Sequence, residues 1–139
     1  MASSSITPRP ADPLLSAVVP FLNEAANLPR LIEVLQRVLG DLGLAWELVL
    51  VDDGSSDDSL AVAKRELQRR PTLQATLLSL SRNFGKEAAL TAGLEAAQGD
   101  VVVPLDADLQ DPPELIGAML EQWRQGFDVV YAVRSRRAG

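Results

Sequence analysis

Carboxylates dominate the residues of this chain that could do chemistry. Asp106 and Asp108 flank Ala107 directly after the apolar run Val101-Val102-Val103-Pro104-Leu105. Side chains alternate along an extended segment, so the two carboxylates are expected on one side, where they repel each other. A hard divalent cation is the usual relief. The chain has no Cys and no His, so any metal has to be held by oxygen, which points to Mg²⁺ or Mn²⁺. The plainer alternative for a lone Asp-x-Asp is a polar turn between a strand and a helix. Further polar groups recur along the chain: Asn23-Glu24, Asp52-Asp53, Lys86, and Arg134 with Arg136 and Arg137.

The elements that must position these groups follow from hydrophobic periodicity. Strands are expected over Leu14–Val19 (ending at Pro20), Trp46–Val51, Leu73–Leu80, the Val101 run and Phe127–Val133. The Val101 run reads as a strand covered on both faces. Between the strands lie segments of helical spacing. The first carries Leu28, Leu31, Ile32, Leu35, Val38 and Leu39, and the second Leu60, Ala63 and Leu67 with a cap near Ser56 or Asp57. The third puts Leu90, Gly93, Leu94 and Ala97 on one face and closes at Gly99 as a C′ residue. The fourth turns Ile116, Met119, Leu120 and Trp123 inward and ends at Gly126. Asp111, Pro112 and Glu114 spell a capping box at its start.

Strand–helix alternation predicts an α/β fold, a parallel sheet with helices on both faces. In such sheets ligands bind beyond the carboxyl ends of the strands, where the strand order reverses. Every polar cluster named above trails a strand or opens a helix. A strand order of 3-2-1-4 puts the first and fourth strands side by side, and hence Glu24 near Asp106 and Asp108.

Composition bounds the rest. A chain of 139 residues with 47% hydrophobic residues suffices for one domain with a core. Residues 1–13, rich in Ser and Pro, read as a disordered lead-in. A net charge of −6 argues against a general nucleic-acid binder. No apolar run approaches the roughly 20 residues of a membrane span and no signal peptide is visible, so the chain itself is expected to be soluble.

The clusters describe one kind of ligand. Acids after the first two strands suit ribose hydroxyls and base N–H groups. Acids after the fourth suit a metal, and a metal there suits a diphosphate. Arginine forks suit phosphate oxygens. Arg134 directly follows a strand, whereas Arg136 and Arg137 equally suit a solvated chain end. Asp57 and Asp58 read as helix capping and dipole compensation. Lys86, after Arg82-Asn83-Phe84-Gly85, is either a surface cation or one that reaches an anion.

Four segments in order carry a family resemblance: Val18-Val19-Pro20-Phe21-Leu22-Asn23-Glu24, Val51-Asp52-Asp53-Gly54-Ser55, Arg82-Asn83-Phe84-Gly85-Lys86-Glu87, and Asp106 through Glu114. Together they resemble glycosyltransferase family 2 of the Rossmann-like GT-A fold, and within it the polyprenyl-phosphate sugar transferases. The resemblance runs from about Leu14 to Arg137. It implies an inverting, metal-dependent enzyme that moves a sugar from a nucleotide-diphosphate sugar, a UDP-sugar by likeness to bacterial members, to polyprenyl phosphate. Pro20, Leu22, Glu24, Asp52 and Asp53 match the segments around base and ribose, with Lys86, Asp106 and Ala107 also donor-binding. Leu22 stands where many relatives carry Tyr. Asp106, Asp108 and Gln110 match the metal and diphosphate ligands. Arg134 matches an arginine that meets donor or lipid phosphate, and Asp108 and Arg134 are the expected catalytic pair. The acceptor phosphate is already ionised near neutral pH, so no strong base is required.

Family members continue past the fifth strand with acceptor-side and membrane segments. Residues 14–139 are therefore expected to form the nucleotide-sugar half of a site, in a protein working at the cytoplasmic face of the plasma membrane; a homo-oligomer is compatible with this. Two other classes compete. A phospho-receiver domain has similar length and clustered carboxylates, but needs its acid pair after the first strand and a lysine after the fifth. A silent nucleotide-sugar binding module would share the site without turnover.

Overall fold

The computed structural model describes residues 13–108 and 115–125. Most of the expected lead-in, Gln110, the capping box at 111–114, Gly126, the expected fifth strand and the three C-terminal arginines lie outside the described residues. The elements are β1 (Leu15–Phe21), α1 (Leu28–Gly40), β2 (Trp46–Asp52), α2 (Ser59–Gln68), β3 (Ala75–Ser79), α3 (Lys86–Ala96), β4 (Val101–Pro104) and α4 (Leu115–Arg124). The four strands form one sheet in the order β3-β2-β1-β4. All three pairings are parallel, with Leu15 opposite Trp46 and Val101, and Leu48 opposite Ala75. The expected α/β architecture and strand order are both present.

Period-two alternation splits the core into two layers. Leu15, Ala17, Val19 and Phe21 of β1 pack with Leu48 and Leu50 of β2 against α1, α2 and α4. Val18, Val49 and Val51 face the other way, onto Ala89 and the half-buried Leu90, Ala92 and Ala96 of α3. Leu28, Leu31, Ile32, Leu35 and Leu39 of α1 are fully buried or nearly so, each worth about 2 kcal/mol in apolar burial. Gly93 lets α3 approach closely, because a Cβ there would lie 2.5 Å from Val18 Cγ1.

Several local expectations are corrected. The first strand does not stop at Pro20 but runs to Phe21. A proline one residue from a strand's end forgoes a single ladder donor, and the Asp53 N–H still reaches Phe21 O at 2.9 Å. The third strand is shorter than 73–80, because Leu73 is drawn into a turn by its bond to Arg70 O. The fourth strand is not covered on both faces along its length: Val101 and Val103 are buried, while Val102 and Pro104 are half-buried. Leu94 is 44% exposed rather than inward. Gly99 is not a left-handed C′ residue, since α3 is closed by extended Ala97. Gly99 serves close approach instead: a Cβ would lie 2.5 Å from Ser16 Oγ and 2.7 Å from Leu14 O. At this end of the sheet buried Glu47 accepts from Ser16 Oγ at 2.5 Å and from the Gln98 N–H at 2.7 Å.

Helix α2 buries Glu66, which hydrophobic periodicity alone does not pick out. Glu66 pairs with Arg70 at 2.7 Å and Arg69 at 3.1 Å, and Arg70 Nε reaches Gln36 Oε1 of α1 at 3.1 Å. The bond from Arg70, followed by the charges of Arg69 and Arg70, holds the Glu66 carboxyl below its ordinary value of 4.5 against the opposing effect of burial. Arg70→Ala is expected to destabilise the fold by about 2 kcal/mol at neutral pH. A carboxyl lowered on folding stabilises fully above its unfolded pKa, and that contribution is lost as pH falls through the folded value. Melting curves should show the gap between variant and wild type at pH 7 and its narrowing below about pH 4.5.

Candidate functional site

The carboxyl ends of the strands deliver their polar clusters to one cavity of about 500 Å³. Pro20, Phe21, Leu22 and Glu24 come from β1 and its loop, Asp53 from β2, Asn83, Gly85 and Lys86 from the entry to α3, and Asp106, Ala107 and Asp108 from the exit of β4. Glu24 and the Asp106/Asp108 pair thus share a cavity, as the adjacency of β1 and β4 requires. The pair does not lie on extended backbone, because β4 ends at Pro104 and residues 107–108 form a turn. Ala107 is buried within the turn, Asp106 is half-buried and Asp108 is exposed, and both carboxylates still line the cavity.

Lys86 opens α3, and its Nζ lies 2.6 Å from Asp106 Oδ1, so it does reach an anion. Asp53 is 4% exposed, and its Oδ1 accepts from the Phe84 and Gly85 N–H groups at 3.0 and 3.3 Å, fixing the loop that carries Lys86. Asp52 does not line the cavity; its Oδ1 accepts from the Ser55 N–H at 3.0 Å and shapes the turn after β2. Glu24 Oε1 is held by Asn27 Nδ2 at 2.7 Å. Leu22, 38% exposed, gives the rim an aliphatic face rather than a ring. Phe84 is half exposed, with the Arg82 guanidinium 4.8 Å from its ring centroid.

Asn23, grouped with Glu24 in the sequence but given no role there, ties two loops together. It has φ 55, the one positive φ at a non-glycine residue among those described, a conformation that Asn tolerates better than most residues. Its Oδ1 accepts from the N–H groups of Ser56 and Asp57 at 2.8 and 3.1 Å, and its own N–H donates to Ser55 Oγ at 2.9 Å. The next residue follows suit, with the Glu24 N–H on Ser59 Oγ at 2.8 Å. The Ser59 hydroxyl and N–H both donate to Asp57, and the hydroxyl bond is the main reason the Asp57 carboxyl sits below its ordinary range. The cap position of α2 is Asp58, with no side-chain cap bond, rather than the expected Ser56 or Asp57; Asp57 instead accepts from the first helical N–H from one residue further out. Asn23→Ala is expected to destabilise the fold by about 1–2 kcal/mol, the worth of one to two such bonds. Asn23→Asp keeps the acceptor and should stay near wild type, which chemical denaturation of both variants checks.

The donor set suits a hard cation. Among the described residues no three acidic, His or Cys side chains come together as a metal cage. Asp106 and Asp108 offer oxygen ligands, and the ammonium held by Asp106 shows that the position selects positive charge. Two carboxylates leave most of an octahedral shell to water and to the phosphates of a ligand.

The family model for glycosyl transferase family 2 matches residues 16–139. The chain belongs to that family. It is 48% identical over 125 residues to an uncharacterised glycosyltransferase of Synechocystis sp., covering 90% of this chain and 39% of the relative. It is 44% identical over 130 residues to an undecaprenyl-phosphate 4-deoxy-4-formamido-L-arabinose transferase of Pseudomonas aeruginosa, covering 94% of this chain and 38% of the relative. The chain thus spans about two-fifths of the length of the curated relatives it matches. Among solved structures, a mannosyltransferase of Pyrobaculum calidifontis in complex with GDP-Man and Mn²⁺ superposes with TM-score 0.65 at 29% identity, over 88% of this chain and 35% of that one. Glucosyl-3-phosphoglycerate synthase of Mycobacterium tuberculosis, in complex with Mn²⁺, UDP and phosphoglyceric acid, also gives 0.65 at 30% identity, over 84% and 40%. The fold of this glycosyltransferase family 2 chain is therefore the GT-A type expected from its motifs. No described helix is long and apolar enough to cross a membrane.

Proposed function

We propose that this family 2 cavity binds the nucleoside diphosphate of a sugar donor, and that the whole protein transfers the sugar, with inversion, to a polyprenyl phosphate. The observation that carries this reading is the meeting of Asp106, Asp108 and Lys86 with Glu24 and Asp53 in one cavity at the strand ends. One end of the cavity suits phosphates, and the other suits ribose and base. The solved relatives with GDP-Man or UDP and Mn²⁺ support the ligand class, and the relatives named for undecaprenyl phosphate support the acceptor. A UDP-sugar is the favoured donor.

In this reading Asp106 and Asp108, with Gln110, would hold Mg²⁺ or Mn²⁺, which when bound would neutralise the diphosphate. Lys86 and Arg134 meet phosphate oxygens, while Glu24 and Asp53 accept from the nucleoside and Leu22 covers it. Charge builds on the leaving diphosphate in the transition state, so fixed cations there lower the barrier more than they tighten ground-state binding. The lipid phosphate is its own nucleophile, already ionised near neutral pH. A nucleotide-sugar donor together with a lipid acceptor suits the cytoplasmic face of a membrane.

The test is transfer of radiolabelled sugar from UDP- and GDP-sugars to undecaprenyl phosphate in detergent, with Mn²⁺. Labelled lipid-linked sugar from at least one donor is the expected product. Donor binding without any labelled lipid would instead support the silent binding module.

A further inference from the structure

We infer that Lys86 is an exchangeable internal counter-ion, one that occupies the Asp106 carboxylate until a diphosphate draws it away and thereby makes cation and nucleotide bind as a coupled pair. The inference rests on the nucleotide-diphosphate reading of the cavity and adds an order to it. Lys86 Nζ lies 2.6 Å from Asp106 Oδ1, and the two residues come from different elements that line the same cavity. The side chain of Asp106 is 16% exposed, whereas that of Lys86 is 66% exposed on a flexible four-carbon stem. The carboxylate is fixed and the ammonium is free to swing.

A divalent ion on Asp106 would sit within about 2–2.6 Å of a carboxylate oxygen. At that range it repels an ammonium bound to the same group, so the free enzyme resists the metal. A diphosphate offers the ammonium a stronger partner and removes that repulsion from the cation at Asp106. The metal in turn favours the diphosphate, as reciprocal coupling requires. Gly85, with φ 105 and Asp53 clamping its N–H, anchors the backbone from which Lys86 moves.

The experiment is Mn²⁺ titration by electron paramagnetic resonance, together with UDP titration by calorimetry, on the full chain as wild type, Lys86→Gln and Lys86→Arg. Lys86→Gln should bind Mn²⁺ alone about fivefold more tightly, the upper worth of an exposed ion pair. The same variant should bind UDP without metal about tenfold more weakly, since it lacks a charged donor. Lys86→Arg, which keeps the charge, should stay close to wild type for Mn²⁺ alone. These opposite signs separate counter-ion exchange from a structural role, which would weaken both ligands. Unchanged or weaker Mn²⁺ binding by Lys86→Gln, in a series where wild type still takes UDP with Mn²⁺, overturns the exchange and leaves the nucleotide reading standing. Failure of wild type to bind UDP under any condition overturns both.

Discussion

Asp108→Asn is expected to lower the affinity for UDP in the presence of Mn²⁺ by about a hundredfold while leaving metal-free affinity unchanged. Asp108 is exposed at the turn after β4, so the amide fits without repacking. The loss is chemical: a neutral amide oxygen is a much poorer ligand for a hard dication than a carboxylate. Residues that merely orient a metal ligand typically cost ten- to a hundredfold when removed, so a direct ligand belongs at the upper end, about 2.8 kcal/mol. Asp106→Asn tests the same idea less cleanly, because it also removes the partner of Lys86. Equal losses with and without Mn²⁺ would mean that Asp108 touches the nucleotide directly.

Gly54→Ala carries the largest expected effect on folding, about 3–4 kcal/mol, from a strained backbone and a steric clash together. Gly54 has φ 75, which an L side chain rarely adopts. A Cβ there would also collide with the backbone of Arg82 and Asn83, which cannot swing aside as a flexible side chain would. To relieve the clash the loop entering α3 must pull away from Asp53, carrying Asn83, Gly85 and Lys86 with it. Chemical denaturation should show the lost stability, and nucleotide affinity should fall in the fraction that remains folded. A variant as stable as wild type would show that the two loops do not meet as closely as described.

The strand order and the meeting of Glu24 with Asp106 and Asp108 were legible in the sequence because they rest on robust signals. Short β-branched runs alternate with helical periods, and polar residues sit where the runs stop. What was not legible depends on contacts between segments far apart in the chain. Asn23 looks like any loop residue until Ser56 and Asp57 come to its side-chain oxygen. Asp52 and Asp53 read as equals, yet one side chain turns to Ser55 and the other to the α3 entry. Gly99 spells a helix stop by type, whereas its absent Cβ makes room for Ser16. Leu94 fits a helical stripe and still emerges, because α3 packs on the sheet through the small residues Ala89 and Gly93.

The most direct measurement of the central claim is calorimetric titration of the full chain with UDP and with GDP, once with Mn²⁺ and once with EDTA. At least one nucleotide should bind with Mn²⁺ at micromolar to sub-millimolar affinity, and EDTA should weaken it at least about tenfold, because on the proposed reading the ion would be shared by the phosphates and Asp106/Asp108. Binding of neither nucleotide, or equal affinity in Mn²⁺ and EDTA, would contradict the account.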